Sequence, residues 1–185
     1  MGQKFNTVSS EVTHWRNFTL GSETYDLSHL TAHHAEYLDD RNENNPITYK
    51  FIITYGLHCF TKALDGLTDE ESQALMYDAP RESRHFNTER YYLSKELPSI
   101  ILSLSQKTTL VCHAGHGKFA SVKVQDSNGI DIDYFVVFTV FKETKKLRLH
   151  VQSAYPVYER IGKIKKVSFL AISNNLLMNK KLPKP

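Results

Sequence analysis

Four polar side chains in this sequence have the types and settings that suit proton transfer and charge stabilisation at a phosphodiester. His58 lies in an otherwise apolar run, and Arg90 stands at the start of an amphipathic stretch. Ser153 and Tyr155 lie at the end of another apolar run, and strand ends commonly carry function. A histidine exchanges protons near neutral pH, and a guanidinium stabilises developing negative charge. We therefore take His58 as the acid or base, Arg90 as a phosphate clamp, and the two hydroxyls as orienting groups.

Each of these residues also has a purely structural interpretation. His58 is equally compatible with a buried ring whose hydrogen bonds are satisfied. A cation in the first turn of a helix opposes the helix dipole, which indicates a task for Arg90, although a solvated arginine accounts for it as well. Local capping and aromatic packing account for Ser153 and Tyr155. The sequence leaves these alternatives open.

A second set of basic residues suits contact with the backbone of RNA. Lys118, Arg148 and His150 would extend a basic face beside the candidate site. His116 lies in a turn between Gly115 and Gly117, where a phosphate contact is feasible. The glycine spacing matches neither a P-loop nor a dinucleotide fingerprint, so we predict no cofactor.

The nine histidines also raise the question of a metal site. His29 and His33 stand four residues apart, which would place them on one face of a helix, and His34 follows directly. No third ligand is specified nearby, and the zincin pattern is absent because Leu30 follows His29. We predict that no metal is bound.

Composition is that of an ordinary globular protein of one domain. The chain has 185 residues, of which 41% are hydrophobic, and its net charge of +3 permits a polyanionic partner without requiring one. Cys59 and Cys112 each lie in an apolar run, which indicates buried thiols. The N-terminal residues lack the apolar region of a secretory signal, and no run is long enough to cross a membrane, so we expect a cytoplasmic protein.

The first half of the chain mixes strands and helices. We predict a hairpin over residues 14–27, a short helix over 28–38 and a polar loop over 39–46. A long buried strand follows from Ile47 to Thr61, and residues 65–87 favour a loop with one short element. The clearest helix spans Thr88–Gln106, with leucine and isoleucine at spacings of three and four, and Pro98 should kink or divide it.

The last third predicts an antiparallel meander. Its strands are Thr108–His113, Lys118–Gln125, Ile130–Phe141 and Leu147–Ser153, with a two-residue turn at Asn128-Gly129. A final strand is predicted over Ile164–Ile172. The fold class is therefore α+β, a mostly antiparallel sheet whose C-terminal β-meander is preceded by one main amphipathic helix. Residues 1–175 would form the single domain, and 176–185 a basic, frayed tail.

Four segments resemble small prophage and mobile-element proteins, some of which are described as stationary-phase adaptation proteins. The segments are 90–101 (RYYLSKELPSII), 134–138 (YFVVF) with 151–155 (VQSAY), and 56–61 (GLHCFT), and the resemblance covers residues 14–172. The order of a helix and then a meander is also similar to the barnase–EndoU–colicin–RelE superfamily of RNase toxins. That second likeness concerns the fold, and it implies no residue roles.

Two functions of different kinds follow from these observations. The first is a metal-independent, toxin-type endoribonuclease acting on RNA through the residues named above. The alternative is a non-catalytic interaction module of a phage or mobile element, which binds a host protein, an antitoxin partner or nucleic acid. Convergence of His58, Arg90 and Tyr155 in one cleft would favour the first.

Overall fold

The computed structural model of the chain describes residues 7–8, 10–114, 117–125, 131–158 and 165–183, with side chains except at 7–8, 114, 117–125 and 131. Strands β1 to β13 span, in order, Thr7–Val8, Glu11–Val12, Phe18–Leu20, Glu23–Tyr25, His33–Asp39, Ile47–His58, Thr61–Lys62, Met76–Asp78, Ser83–Phe86, Leu110–Ala114, Gly117–Gln125, Asp131–Glu143 and Lys146–Val157. Helices α1 to α4 span Asp69–Leu75, Thr88–Ser94, Leu97–Leu102 and Phe169–Leu177.

One six-stranded sheet organises the fold, in the order β10-β11-β12-β13-β6-β5. Every neighbouring pair in this sheet is antiparallel except β13 and β6, which run parallel. The α+β class and the C-terminal meander are thus confirmed. The predicted turn at Asn128-Gly129 lies outside the described residues, although the strands on either side of it pair antiparallel as expected.

The strand β6 is long because its residues are β-branched or aromatic, and buried side chains alternate along its first half. It was predicted to run to Thr61, but it ends at His58. There the chain turns tightly, with the amide of Cys59 bonded to the carbonyl of Gly56 at 3.1 Å. Two bulges lie next to this point, one on each side of β13.

The predicted helix over 28–38 is wrong. A 3-10 turn covers only Ser28–Leu30, and His33–Asp39 then forms the edge strand β5. The strand buries Ala35, Tyr37 and Asp39 at alternate positions, a period of two that overrides the spacing of Leu30, His34 and Leu38. Pairing with the long strand β6 satisfies backbone groups that the helix would have satisfied internally.

The predicted division of the main helix is confirmed. Two short helices, α2 and α3, replace one long helix, and Pro98 lies in the first turn of α3, where a missing amide costs nothing. Residues 65–87 are more ordered than expected. Thr68 and Glu71 form a capping box at the start of α1, and the strands β8 and β9 follow it.

The predicted strand over Ile164–Ile172 is also wrong. Residues 165–167 run beside β10, and the side chain of Ser168 then caps helix α4. The helix buries Phe169, whose ring contacts those of Tyr37 and Phe51 on one face of the sheet. None of the helices in the described ranges has the length and apolar character needed to cross a membrane.

The opposite face of the sheet is more polar. Thr54 of β6 and Arg148 and His150 of β13 lie on it, and Glu11 of β2 packs against them. The small sheet β7-β9-β8 and a cluster of aromatic rings flank this face. The cluster comprises Trp15, Phe18, Tyr25, Phe60, Tyr77, Phe86 and Tyr91. These elements position the polar groups described next.

Candidate functional site

His58 is an accessible histidine held by a carboxylate. It is the last residue of β6, and its side chain is 39% exposed. Its Nε2 atom lies 2.9 Å from Oε1 of Glu82, in the turn between β8 and β9. An ionised carboxylate only accepts hydrogen bonds, so Nε2 carries the proton and Nδ1 is left for other partners. Arg84 lies 3.8 Å from the other carboxylate oxygen.

Arg90 fixes the backbone next to His58. The side chain of Asn87 caps helix α2, and Nη1 of Arg90 donates to the carbonyls of His58 at 3.0 Å and Thr61 at 2.8 Å. Burial, and then the charge of Arg84, lower the pKa of Arg90. The guanidinium of Arg90 therefore points away from the start of α2 and stabilises the turn after β6. This contact explains why a cation stands in the first turn of a helix, where it opposes the helix dipole.

Ser153 and Tyr155 lie beside these residues on β13. Ser153 is the strand partner of His58, which places the two residues opposite each other across the parallel pair. The guanidinium of Arg90 lies 5.7 Å from the centre of the Tyr155 ring, and that ring stacks on Phe135. The structure therefore brings all four candidate catalytic residues together at one end of β6.

The four candidate substrate-binding residues are distributed differently. Lys118 lies in β11, which is separated from β13 by β12. The side chain of Lys118 and the whole of His116 lie outside the part of the chain that the structure describes. Arg148 does not extend an exposed basic face, because its side chain is fully buried. His150 is partly exposed and lines a pocket.

Arg148 is the centre of a buried polar network. Its Nη2 atom lies 2.6 Å from Oε2 of Glu11, and its Nη1 atom lies 2.7 Å from Oε2 of Glu143. The hydroxyl of Thr54 donates to Oε2 of Glu11 at 2.5 Å and lies 3.0 Å from Nδ1 of His150. A buried cation of this kind needs such partners, because leaving water is costly.

A pocket of about 150 Å³ lies between this network and Glu82, the partner of His58. Its wall includes Glu11, Gly56, Arg81, Glu82 and His150. The side chain of Arg81 is exposed and makes no hydrogen bond or ion pair with any residue that the structure describes. The pocket wall thus combines the exposed cation of Arg81 with His150, and His58 adjoins it through its bond to Glu82.

Sequence reasoning missed Glu11, Thr54, Arg81 and Glu82. Three of them are acids or bases in segments that read as surface loops or as a chain terminus. Thr54 lies inside an apolar strand, where its hydroxyl is the only signal. The hydrogen bonds that join Glu11, Thr54 and Glu82 to Arg148, Glu11 and His58 span 24 to 137 residues of the chain, so spacing could not reveal them.

The histidine cluster near residue 30 does not form a common face. His29 bonds to the hydroxyl of Ser94, while His33 and His34 are successive residues of a strand and point to opposite sides. Among the described residues, no three His, Cys, Asp or Glu side chains lie close enough together to hold a metal ion.

Comparison with known proteins gives a family. No solved structure matches this chain. Protein YjaZ of Escherichia coli (strain K12) is 46% identical over 180 residues, which cover 96% of this chain and 99% of that protein. The model of the YjaZ family matches residues 17–177, a range that contains His58, Glu82, Arg90, Ser153 and Tyr155. The chain therefore belongs to the YjaZ family.

Proposed function

We propose that this chain is a metal-independent, toxin-type ribonuclease-like domain that cleaves RNA in the cytoplasm, with His58 as an acid–base residue. The observation that carries the proposal is the convergence of His58 with Glu82, Arg90, Ser153 and Tyr155.

The chemistry of RNA cleavage fits the groups around the pocket. The reaction takes a proton from a 2′-hydroxyl, stabilises a doubly charged phosphorane and returns a proton to the leaving oxygen. His58 exchanges a proton at Nδ1 while Glu82 holds its other nitrogen and orients the ring. Arg81 contacts the phosphate, because its guanidinium is exposed at the pocket. Arg90 acts as a positioning residue through the carbonyl of His58.

Cleavage of a labelled RNA oligonucleotide by the purified chain, in buffer containing a chelator, tests the proposal. Replacement of His58 by alanine should lower the cleavage rate at least about 100-fold, the size of effect expected for a general acid or base. Glu82→Gln should lower it by about 10- to 100-fold, since the carboxylate acts only by orienting the ring.

The matched control is His34→Ala, because His34 is an exposed histidine of β5 that makes no hydrogen bond or ion pair with the described residues of the candidate site. It should cleave at the wild-type rate. Intact RNA after incubation with the wild-type chain, or equal cleavage by the His58 and His34 variants, would show that the proposal is wrong.

A second candidate function, the non-catalytic interaction module, has one observation in its favour. A groove of about 530 Å³ lies between the end of β5, the segment after α3 and the start of α4. Leu110, Val167 and Phe169 contribute apolar surface to it, and exposed Lys107 and Lys166 lie at its rim. This combination suits an acidic segment of a partner protein.

The two candidate functions predict that different variants lose activity. Binding of a partner through the groove should be lost with Lys107→Glu and Lys166→Glu and unaffected by His58→Ala. RNA cleavage should show the reverse. A comparison of cleavage and of binding to a labelled acidic peptide with these three variants separates the two functions.

A further inference from the structure

The proton positions in the buried network follow from its donors and acceptors. Oε2 of Glu11 accepts hydrogen bonds from Nη2 of Arg148 and from the hydroxyl of Thr54. The hydroxyl of Thr54 has one proton, and the bond to Glu11 uses it. Nδ1 of His150, at 3.0 Å from the same hydroxyl oxygen, must therefore be the donor in that contact. Neutral His150 is thus held in the tautomer that has its proton on Nδ1 and a lone pair on Nε2.

Burial favours the neutral form of this histidine. Burial, as the largest effect, and the charge of Arg148 both lower the pKa of His150, while Glu11 opposes them. The other charged groups at the pocket, Arg81 and Glu82, lie on the turn between β8 and β9. At neutral pH the ring is therefore an unprotonated base, the state that a general base needs before reaction.

The free nitrogen of His150 lies close to the backbone of Gly56, where a larger residue would crowd it. A β-carbon on Gly56 would lie 3.3 Å from Nε2 of His150. Within the described residues, Nε2 makes no hydrogen bond, and the side chain is 20% exposed where it lines the pocket. His58 is two residues further along the chain, inside the turn that the bond from the amide of Cys59 to the carbonyl of Gly56 closes. His150 therefore lines the pocket, and His58 lies on the neighbouring strand, bonded to the pocket residue Glu82.

We propose that His150 is the general base of the site, paired with His58 as the general acid; this inference rests on the proposed ribonuclease function. Nε2 of His150 removes the proton of a 2′-hydroxyl, and the oxygen attacks the adjacent phosphorus. The bond between phosphorus and the 5′-oxygen then breaks as protonated His58 donates a proton to that oxygen. The products are a 2′,3′-cyclic phosphate and a 5′-hydroxyl, and no co-reactant is consumed.

The hydrogen bonds from His150 to Thr54 and from Thr54 to Glu11 resemble those of a catalytic triad, with a hydroxyl between the histidine and the carboxylate. The carboxylate and the hydroxyl fix the tautomer and orientation of the ring, and they stabilise the imidazolium that forms in the reaction. This assignment also explains the buried network around Arg148 as a support for the catalytic base. Arg148 holds Glu11 at the position from which it acts on Thr54, so Arg148 and Glu11 are positioning residues.

The tautomer of His150 is directly observable. Long-range ¹H–¹⁵N NMR spectra of the ¹⁵N-histidine-labelled chain should show the proton on Nδ1 and an unprotonated Nε2 at pH 7.5. Titration with inorganic phosphate should shift the ring signals of both His150 and His58 and leave those of His34 unchanged. A proton on Nε2 of His150, or no response of His150 to phosphate, would contradict the inference without reference to activity.

Kinetics on RNA then separate this inference from the proposed function. His150→Asn retains an amide donor near the position of Nδ1 but has no atom at Nε2, so it should lower kcat/KM at least about 100-fold while the fold is kept. Its residual activity should lack the rise with pH that the base produces in the wild type. Thr54→Val removes the hydroxyl at constant size and should lower kcat/KM about 10-fold or more.

Each outcome has one interpretation. Loss of cleavage in His150→Asn with an altered pH profile supports the inference. Normal cleavage by His150→Asn, with cleavage lost in His58→Ala, overturns the inference and leaves the proposed function standing. Intact RNA with the wild-type chain overturns both.

Discussion

The Nε2 atom of His150 lies 3.3 Å from the position that a β-carbon on Gly56 would occupy. The same β-carbon would lie 2.9 Å from the carbonyl oxygen of Gln152 and 3.1 Å from that of Val151. Both oxygens belong to the backbone of β13, which cannot rotate away as a side chain can. Gly56 therefore permits the close approach of β6 and β13 at the bulge and leaves room for the histidine ring.

Gly56→Ala should consequently destabilise the fold and displace His150. We expect a loss of about 1–3 kcal/mol in the free energy of unfolding, the usual cost of an extra carbon in a packed site. Urea denaturation followed by circular dichroism measures it. Thr48→Ala, at an exposed position of the same strand, is the control and should change stability by less than about 0.5 kcal/mol.

Arg148→Met should be among the most destabilising substitutions in this chain. It removes a fully buried guanidinium and leaves Glu11 and Glu143 without their cation, which costs about 3–5 kcal/mol for a broken buried pair. Urea denaturation is again the measurement. Lys50→Ala removes one partner of an exposed ion pair with Glu36 and should cost no more than about 1 kcal/mol. Similar losses in the two variants would contradict the buried role of Arg148.

Much of the fold could be predicted from the sequence, because local pattern and tertiary environment agree over most strands. The long strand β6, the first hairpin and the meander follow alternation and β-branched content that the folded sheet also requires. The division of the main helix follows from Pro98, whose effect is local.

The two wrong elements share a physical cause. His33–Asp39 has apolar residues that fit a helical spacing, but Leu38 is exposed and pairing with β6 decides its conformation. Ile164–Ile172 is rich in β-formers, but Ser168 caps a helix whose Phe169 fills the space over Phe51. In both segments long-range packing outweighs local preference.

The candidate site was predictable only in part. His58, Arg90, Ser153 and Tyr155 were named from residue type and position along the chain, and the fold places them together. Their roles remain predictions. The parallel pairing of β13 with β6, which joins residues about 100 positions apart and aligns His58 with Ser153, has no local signature. Glu11 and Glu82 could not be found for the same reason.

The stability of the protein should fall as the pH decreases from neutrality. Burial and the charge of Lys95 lower the pKa of His29 from its ordinary value of 6.5, and burial also lowers the pKa of His150. A group whose pKa is lower in the folded state binds protons preferentially when unfolded. Its contribution is therefore complete above the unfolded pKa and is lost as the pH falls below about 6.5.

His29→Gln should flatten this dependence only in part, since His150 still contributes. The measurement is the midpoint of urea denaturation at intervals between pH 7.5 and 5. Equal dependence on pH in the wild-type chain and the variant would contradict the lowered pKa of His29.

Both cysteine thiols should be unreactive in the folded protein. Cys59 and Cys112 are buried, and burial raises the pKa of both thiols, that of Cys59 to about 12. A thiol reacts as its thiolate, which is scarce at neutral pH for such a group. Ellman's reagent should detect no free thiol in the native chain at pH 8 and two in guanidinium chloride. Rapid labelling of either thiol without denaturant would be inconsistent with the burial observed.

The two arginines beside the candidate site should respond to substitution in opposite ways. Arg81 is exposed and has no partner among the described residues, so Arg81→Ala should change the free energy of unfolding by less than about 0.5 kcal/mol. If Arg81 contacts the phosphate of RNA, the same variant should lower kcat/KM about 10- to 100-fold, the value of a charge-assisted hydrogen bond.

Arg90 should instead act on stability and activity together. Arg90→Met deprives the carbonyls of His58 and Thr61 of their donor and removes the cation above the ring of Tyr155. We expect a loss of about 1–3 kcal/mol in unfolding free energy, together with lower cleavage, because the turn that carries His58 is released. Arg90→Lys retains a cation near Tyr155 and one donor, so it should recover part of both losses. Melting temperature and RNA cleavage should be measured on Arg81→Ala, Arg90→Met and Arg90→Lys. The two measurements separate a residue that contacts the substrate from one that positions His58. A variant of Arg90 that cleaves poorly but melts at the wild-type temperature would indicate that Arg90 contacts the substrate itself, as the sequence alone predicts, rather than positioning His58.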